Sequence, residues 1–262
     1  MADLKDKASM EFAKAITRVQ EELVSQVMEL RNQGLSRNEI LLVLESLDME
    51  VLVLDKLGLQ ADIDNLMLTY QRVLSGMEMT GTVTEEVLTA LVRMDRATFM
   101  SESGVMANNI KKQLARGVLA DATEKQIRDG ILKGAGGTLR VDQAATLANT
   151  ALNSFERSVT SEMTRLDPPT AKYVYQGVVD DKTRDICLEM ISAGSMTKDD
   201  VDSQFPGAFI DGGGFNCRHR WAKDTSVSDK LTDKKGAEKV ISTKAKEGKW
   251  KKPQTYQEQV SG

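Results

Sequence analysis

The chain has 262 residues, 40% apolar, 28% charged and 5% aromatic, with 13 Met, two Cys and one His. This is a globular composition that favours a helical core of Leu, Val, Ile, Ala and Met over a β-sandwich, and two cysteines exclude a disulfide-stapled scaffold. No apolar run approaches the ~18 residues of a membrane-spanning helix and no basic-then-apolar start marks a secretory signal, so a cytosol-like setting without membrane contact is expected. The net charge of −4 is unevenly spread: residues 222 to 252 hold ten Lys against five acidic residues, a surplus of +5 that leaves −9 for the remainder.

From Asp3 to Arg31, apolar residues at Leu4, Ala8, Phe12, Ile16, Val19, Leu23, Val27 and Leu30 fall three or four apart and predict one long amphipathic helix ending at Gly34. Ser36 with Glu39 forms a capping-box pattern that opens a second helix through "ILLVLESLDMEVLVLDKL" to Gly58. That helix is apolar on most sides and is expected to be covered by neighbours. A third helix is predicted over 60–76. A fourth opens at Thr82 and Glu85 and runs toward Met100, with a break at Ser101 to Gly104 before "VMANNIKKQLARGVLA". Overlapping cap signals at Asp121, Thr123, Glu124 and Gln126 start a short helix that Gly134, Gly136 and Gly137 end. A helix of about seven turns follows from Val141, with a small-residue face at Ala145, Ala148 and Ala151, and Pro168 and Pro169 stop it.

The period then changes. "AKYVYQGVV" alternates as a strand, and "DDKTRDICLEMISAG" returns to helix with Asp180 or Asp181 as its cap. After the Gly212 to Gly214 run, "FNCRHRW" alternates again and is predicted to pair with the first strand. The fold class is therefore mainly α with a small α+β C-terminal domain: a helical region or bundle over 1–137, a compact domain over 138–223 and a flexible Lys-rich tail over 224–262.

Both cysteines and the histidine fall in this last third. Cys187 lies on the predicted helix, while Cys217 and His219 are two apart on a strand and so face one way. Two thiols and an imidazole are donors that Zn²⁺ prefers, and Asp180, Asp185 or Glu189 are the candidates for a fourth. Two other states fit the same residues: a disulfide between Cys187 and Cys217, or two buried thiols packing the core. A nucleophilic Cys187/His219 pair lacks an orienting third group, and a single histidine excludes a His-Glu-x-x-His hydrolase, so no enzymatic activity is expected. Asp180, Asp181 and Asp185 read as cap residues and as salt-bridge partners for Arg184 and Arg218. Lys234, Lys235, Lys249, Lys251 and Lys252 form a candidate contact for DNA phosphates. Tyr173, Tyr175, Phe215 and Trp221 are expected in the core of the small sheet.

The stretches "GVVDDKTRDICLEM" and "FNCRHRW", preceded by the helix "QAATLANTALNSFER", resemble the C-terminal domain of the phage head morphogenesis proteins, the Mu F-type minor head family. The resemblance covers residues 140 to 223 and is most specific at Thr183-Arg184 and Asn216-Cys217-Arg218. It departs where the family's second Cys is replaced by His219. It implies a low-copy structural protein of a tailed-phage virion head, bound to portal or major capsid protein or to further copies of itself and present in the host cytoplasm during assembly. Two other roles stay open: a sequence-independent DNA-packaging accessory, and an effector ejected with the genome.

Overall fold

A computed structural model of the chain describes residues 2–75, 83–165, 167–214, 217–225 and 233–250. The fold is mainly α, with a small three-stranded antiparallel sheet near the C-terminus. It divides into two compact units, Met1–Gly76 with Thr89–Asn149, and Met77–Leu88 with Thr150–Gly262. The expected boundary at residue 137 thus moves into a continuous helix, α7 (Val141–Thr164), whose early turns bury Ala144 and Ala148 and whose later turns bury Leu152, Phe155 and Val159.

The first unit is built on α1 (Ala2–Asn32), whose predicted stripe of Ala8, Phe12, Ile16, Val19, Leu23 and Val27 is buried. It packs on α2 (Arg37–Ser46), α4 (Leu59–Ser75) and α6 (Glu124–Leu132). Ser36 and Glu39 close the predicted capping box, as do Thr123 and Gln126 at α6. The second predicted helix is not continuous. The Asp48 side chain accepts from the amides of Glu50 and Val51 and restarts the chain as α3 (Met49–Val51), which runs into a π-helical turn (Leu52–Lys56). A side-chain oxygen that competes for free amides makes a helix start wherever the chain bends before it.

The opposite correction applies to α5 (Glu85–Leu119), which runs unbroken through Ser101 to Gly104. Ser103, Gly104, Met106 and Ala107 are buried, and a Cβ on Gly104 would meet the Glu50 carboxyl group at 3.5 Å. Close packing here outweighs the low helix propensity of glycine. Thr82 lies outside the described residues; Thr84 Oγ1 accepts from Val87 N at 3.4 Å.

In the second unit, β1 (Lys172–Gln176) is the central strand, flanked by β2 (Met196–Thr197) and β3 (Arg220–Lys223), both antiparallel to it. The register sets Tyr175 opposite Trp221, with ring centroids 5.1 Å apart. Trp221 also meets Phe209 at 5.8 Å and Phe205 at 6.3 Å, and Phe209 stands edge-on to Tyr173 at 5.2 Å. Aromatic pairs of this kind add about 0.5–1.5 kcal/mol each beyond their buried area. Tyr173, Tyr175 and Trp221 are thus core residues, as expected, and Phe215 lies outside the described residues. Helix α8 (Asp185–Ala193) buries Ile186, Cys187, Leu188, Met190 and Ile191 against this cluster. Neither Asp180 nor Asp181 is its cap: Arg184 occupies that position, and Asp180 instead ties the preceding turn, its Oδ1 accepting from Lys182 N and Thr183 Oγ1. Short helices α9 (Lys198–Gln204), capped by Thr197 with Asp200, and α10 (Ala208–Asp211) lead to the glycine run.

The Lys-rich segment is not a tail throughout. Residues Lys234–Lys246 form α11, capped by Asp233, and pack on α8. Ala237 is buried, Val240, Ile241 and Trp250 lean on the same core, and Lys244 Nζ reaches Asp185 Oδ1 at 2.7 Å and the Thr183 carbonyl at 2.9 Å. An apolar strip at Ala237, Val240 and Ile241, with the three- and four-residue spacing of one helix face, gives this polar segment something to bury.

Asp167 joins two elements of this unit: it accepts from the Tyr173 hydroxyl at 2.6 Å and from Lys223 Nζ at 2.6 Å. Desolvation raises its pKa, but the hydrogen bonds from Lys223 and Tyr173 and the lysine charge outweigh it and hold the carboxyl below its usual range. A depressed folded-state pKa stabilises above the unfolded value near ~3.9 and is lost as pH falls through the folded one. Asp167→Asn is therefore expected to lower stability at pH 7 by about 1 kcal/mol, since Lys223 is partly screened by solvent. Denaturation of both proteins at pH 7 and at pH 3 checks this: the gap must shrink in acid.

Candidate metal centre

The three soft donors of the chain do converge. Cys187, Cys217 and His219 offer ligand atoms that all lie within 4.8 Å of one another, and the residues are 2–3% exposed. The sulfurs stand 3.6 Å apart as free thiols, and Cys217 Sγ is 3.8 Å from His219 Nδ1. These three side chains can bind a metal ion.

Cys187 is delivered by the buried face of α8. Cys217 and His219 lie in the irregular run just before β3, not on the strand as expected, so pleat alternation is not what aims them together. Instead the chain folds around Cys217 Sγ, which accepts from His219 N at 3.5 Å. His219 Nε2 lies 2.9 Å from the Val178 carbonyl. A carbonyl only accepts, so Nε2 carries the proton and Nδ1 keeps its lone pair toward the sulfurs. This is the outer-shell arrangement that orients a metal-binding imidazole.

Two glycines make the packing possible. A Cβ on Gly213 would fall 2.2 Å from Cys187 Sγ, and one on Gly177 would fall 2.4 Å from His219 Cδ2. Tyr175 stacks on His219, centroids 5.6 Å apart and planes 18° apart, and its hydroxyl is 3.2 Å from Cys217 Sγ. The frame is tied by Arg157, buried on α7: Nε donates to the Ile210 carbonyl at 2.6 Å, Nη1 to the Cys217 carbonyl at 3.0 Å and Nη2 to Ser154 Oγ at 3.0 Å.

The thiols differ in proton affinity. A hydrogen bond from the Cys187 thiol outweighs burial and pulls the Cys217 pKa well below the usual thiol range. That same bond to Cys217, then burial and the Cys217 charge, pushes Cys187 well above it. Burial first, and the neighbouring thiols next, keep the Tyr175 phenol protonated far above its ordinary range. The thiolate is the metal-binding form of cysteine, so Cys217 is already biased toward it.

The acids expected to complete the cluster are placed elsewhere. Asp180 takes Arg218 Nη2 at 2.8 Å on both oxygens, the predicted ion pair, and Asp185 pairs with Lys244. Glu189 lies outside the 4.8 Å group. Arg184 turns to the glycine loop, where Nη1 donates to the Gly213 carbonyl at 2.7 Å, and Asp181 is exposed on its turn. Arg220, half-buried, forms an ion pair with the buried Glu156. Lys234, Lys235 and Lys249 are exposed, Lys249 beside Glu247 at 2.9 Å, and Lys251 and Lys252 lie outside the described residues. Sequence reasoning does not single out Arg157, Tyr175 or Gly213 as parts of the site.

No family model, curated protein or solved structure matches this chain.

Proposed function

We propose that the chain is a minor structural protein of a tailed-phage head and that its second unit is a module closed by a structural zinc ion. The observation that carries the reading is the burial of Cys187, Cys217 and His219 in one cluster inside the residues that resemble the minor head family. A site 2–3% exposed with an oriented imidazole suits a structural ion, because a catalytic one keeps a position open to substrate. Its spacing also suits zinc. Bonds of about 2.3 Å to sulfur and about 2.0 Å to nitrogen put tetrahedral neighbours about 3.8 Å (S to S) and about 3.5 Å (S to N) apart, against 3.6 and 3.8 Å for the two edges at Cys217, the third edge lying within 4.8 Å.

Two measurements test this. Elemental analysis of the purified chain is expected to give one zinc per chain, and its removal by chelator is expected to lower the melting temperature. Mass spectrometry of purified heads of the phage that encodes the chain is expected to find it in low copy. Heads that lack it, or a metal-free chain whose stability no added zinc changes, would overturn the respective half of the reading.

A further inference from the structure

A tetrahedral structural site takes four donors, and the carboxylates nearest in sequence do not supply the last one. Asp180 is held by Arg218 and Asp185 by Lys244. The oxygen that does reach the cluster belongs to Tyr175. Its side chain is fully buried, its hydroxyl lies 3.2 Å from Cys217 Sγ, and its ring lies nearly parallel to that of His219. With a metal–oxygen bond of about 2.0 Å, a tetrahedral S to O edge is about 3.5 Å, and the edge from Tyr175 Oη to Cys217 Sγ, at 3.2 Å, is a few tenths of an ångström short of it.

The glycine loop approaches the phenol and the Cys217 sulfur closely. Gly212 adopts φ +57, and a Cβ there would come within 3.1 Å of Tyr175 Oη and 3.2 Å of Cys217 Sγ. Charge also fits. A divalent ion with two thiolates and one phenolate carries a net charge of −1, which is costly in a buried site unless a cation stands by. Arg157 supplies it, its guanidinium on the Cys217 carbonyl at 3.0 Å.

We propose that Tyr175 Oη is the fourth ligand, completing a site of two thiolates, an imidazole and a phenolate for a zinc-like divalent cation. This rests on the reading that Cys187, Cys217 and His219 hold a metal. On loading, the thiol and phenol protons leave to solvent while the imidazole keeps its Nε2 proton on the Val178 carbonyl. By sequence Tyr175 is a core aromatic; in this site it is both that and a donor.

Titration of the full-length chain with Co²⁺ tests the proposal, read by the thiolate-to-cobalt charge-transfer band, the ligand-field bands and the ultraviolet difference signal of tyrosinate. The unmodified chain is expected to show tetrahedral cobalt together with one tyrosinate per ion. Tyr175→Phe, which keeps the ring stack on His219, is expected to lose the tyrosinate signal, shift the ligand-field bands and bind on the order of tenfold or more weakly. Tetrahedral cobalt with no tyrosinate signal, and Tyr175→Phe bands unchanged, would reduce Tyr175 to a hydrogen-bond donor and leave the metal reading intact. No cobalt uptake by the unmodified chain would remove the metal reading itself. Because the tyrosinate signal is read on the unmodified chain, its presence or absence decides the point even where Tyr175→Phe fails to fold.

Discussion

Arg157→Ala is expected to destabilise the second unit by about 2–4 kcal/mol, because it leaves buried neutral acceptors without their donor and opens a cavity. The guanidinium is 2% exposed and ties three places at once: Ile210 in α10, Cys217 beside the metal centre and Ser154 on its own helix. Truncation leaves the Cys217 carbonyl buried without this donor, at about 1–3 kcal/mol, and opens a space the length of the side chain. Lysine will not restore it, because the three bonds need the planar fork of the guanidinium. The readout is clean. Both tryptophans, Trp221 and Trp250, belong to this unit, so denaturant unfolding followed by tryptophan fluorescence reports on it and not on the helical first unit. A loss below about 1 kcal/mol would mean that the loops hold without the arginine.

How much of the fold is legible in the sequence depends on how local the cause is. The stripe on α1, the capping boxes at Ser36 and Thr123 and the aromatic face of β1 are set within a turn or two of chain, and the sequence pattern predicts them. The break at Asp48 is equally local, but the strength of the apolar pattern around it masks the cap. The unbroken α5 is not legible, because what keeps Ser103 and Gly104 helical is a neighbour some fifty residues away. Proximity of the three donors follows from the sequence on the wrong ground, since Cys217 and His219 converge through a turn around the Cys217 sulfur, not through strand alternation. The docking of α11 depends on a thin strip of Ala237, Val240 and Ile241, diluted by lysines to the point where composition suggests a tail.

The second large effect falls on a residue with no side chain. Gly213→Ala is expected to cost about 2–4 kcal/mol, because its Cβ would lie 2.2 Å from Cys187 Sγ, well inside contact distance, and inserted atoms in a dense core force shifts worth about 1–3 kcal/mol before any polar loss. The neighbouring wall is backbone of the glycine loop, clamped by Arg184 at the Gly213 carbonyl, so the loop cannot simply recede. If the sulfur is the obstacle, removing it must relieve the strain: in a Cys187→Ala background, Gly213→Ala is expected to cost less than about 1 kcal/mol, a coupling within the range seen for residues in contact. Gly212→Ala supplies the contrast. Its φ of +57 makes any side chain unfavourable by about 1–2 kcal/mol whatever Cys187 becomes, so its cost should persist in both backgrounds. Equal penalties for Gly213→Ala with and without the sulfur would show that the glycine serves the loop's conformation and not the approach of the backbone to the thiol.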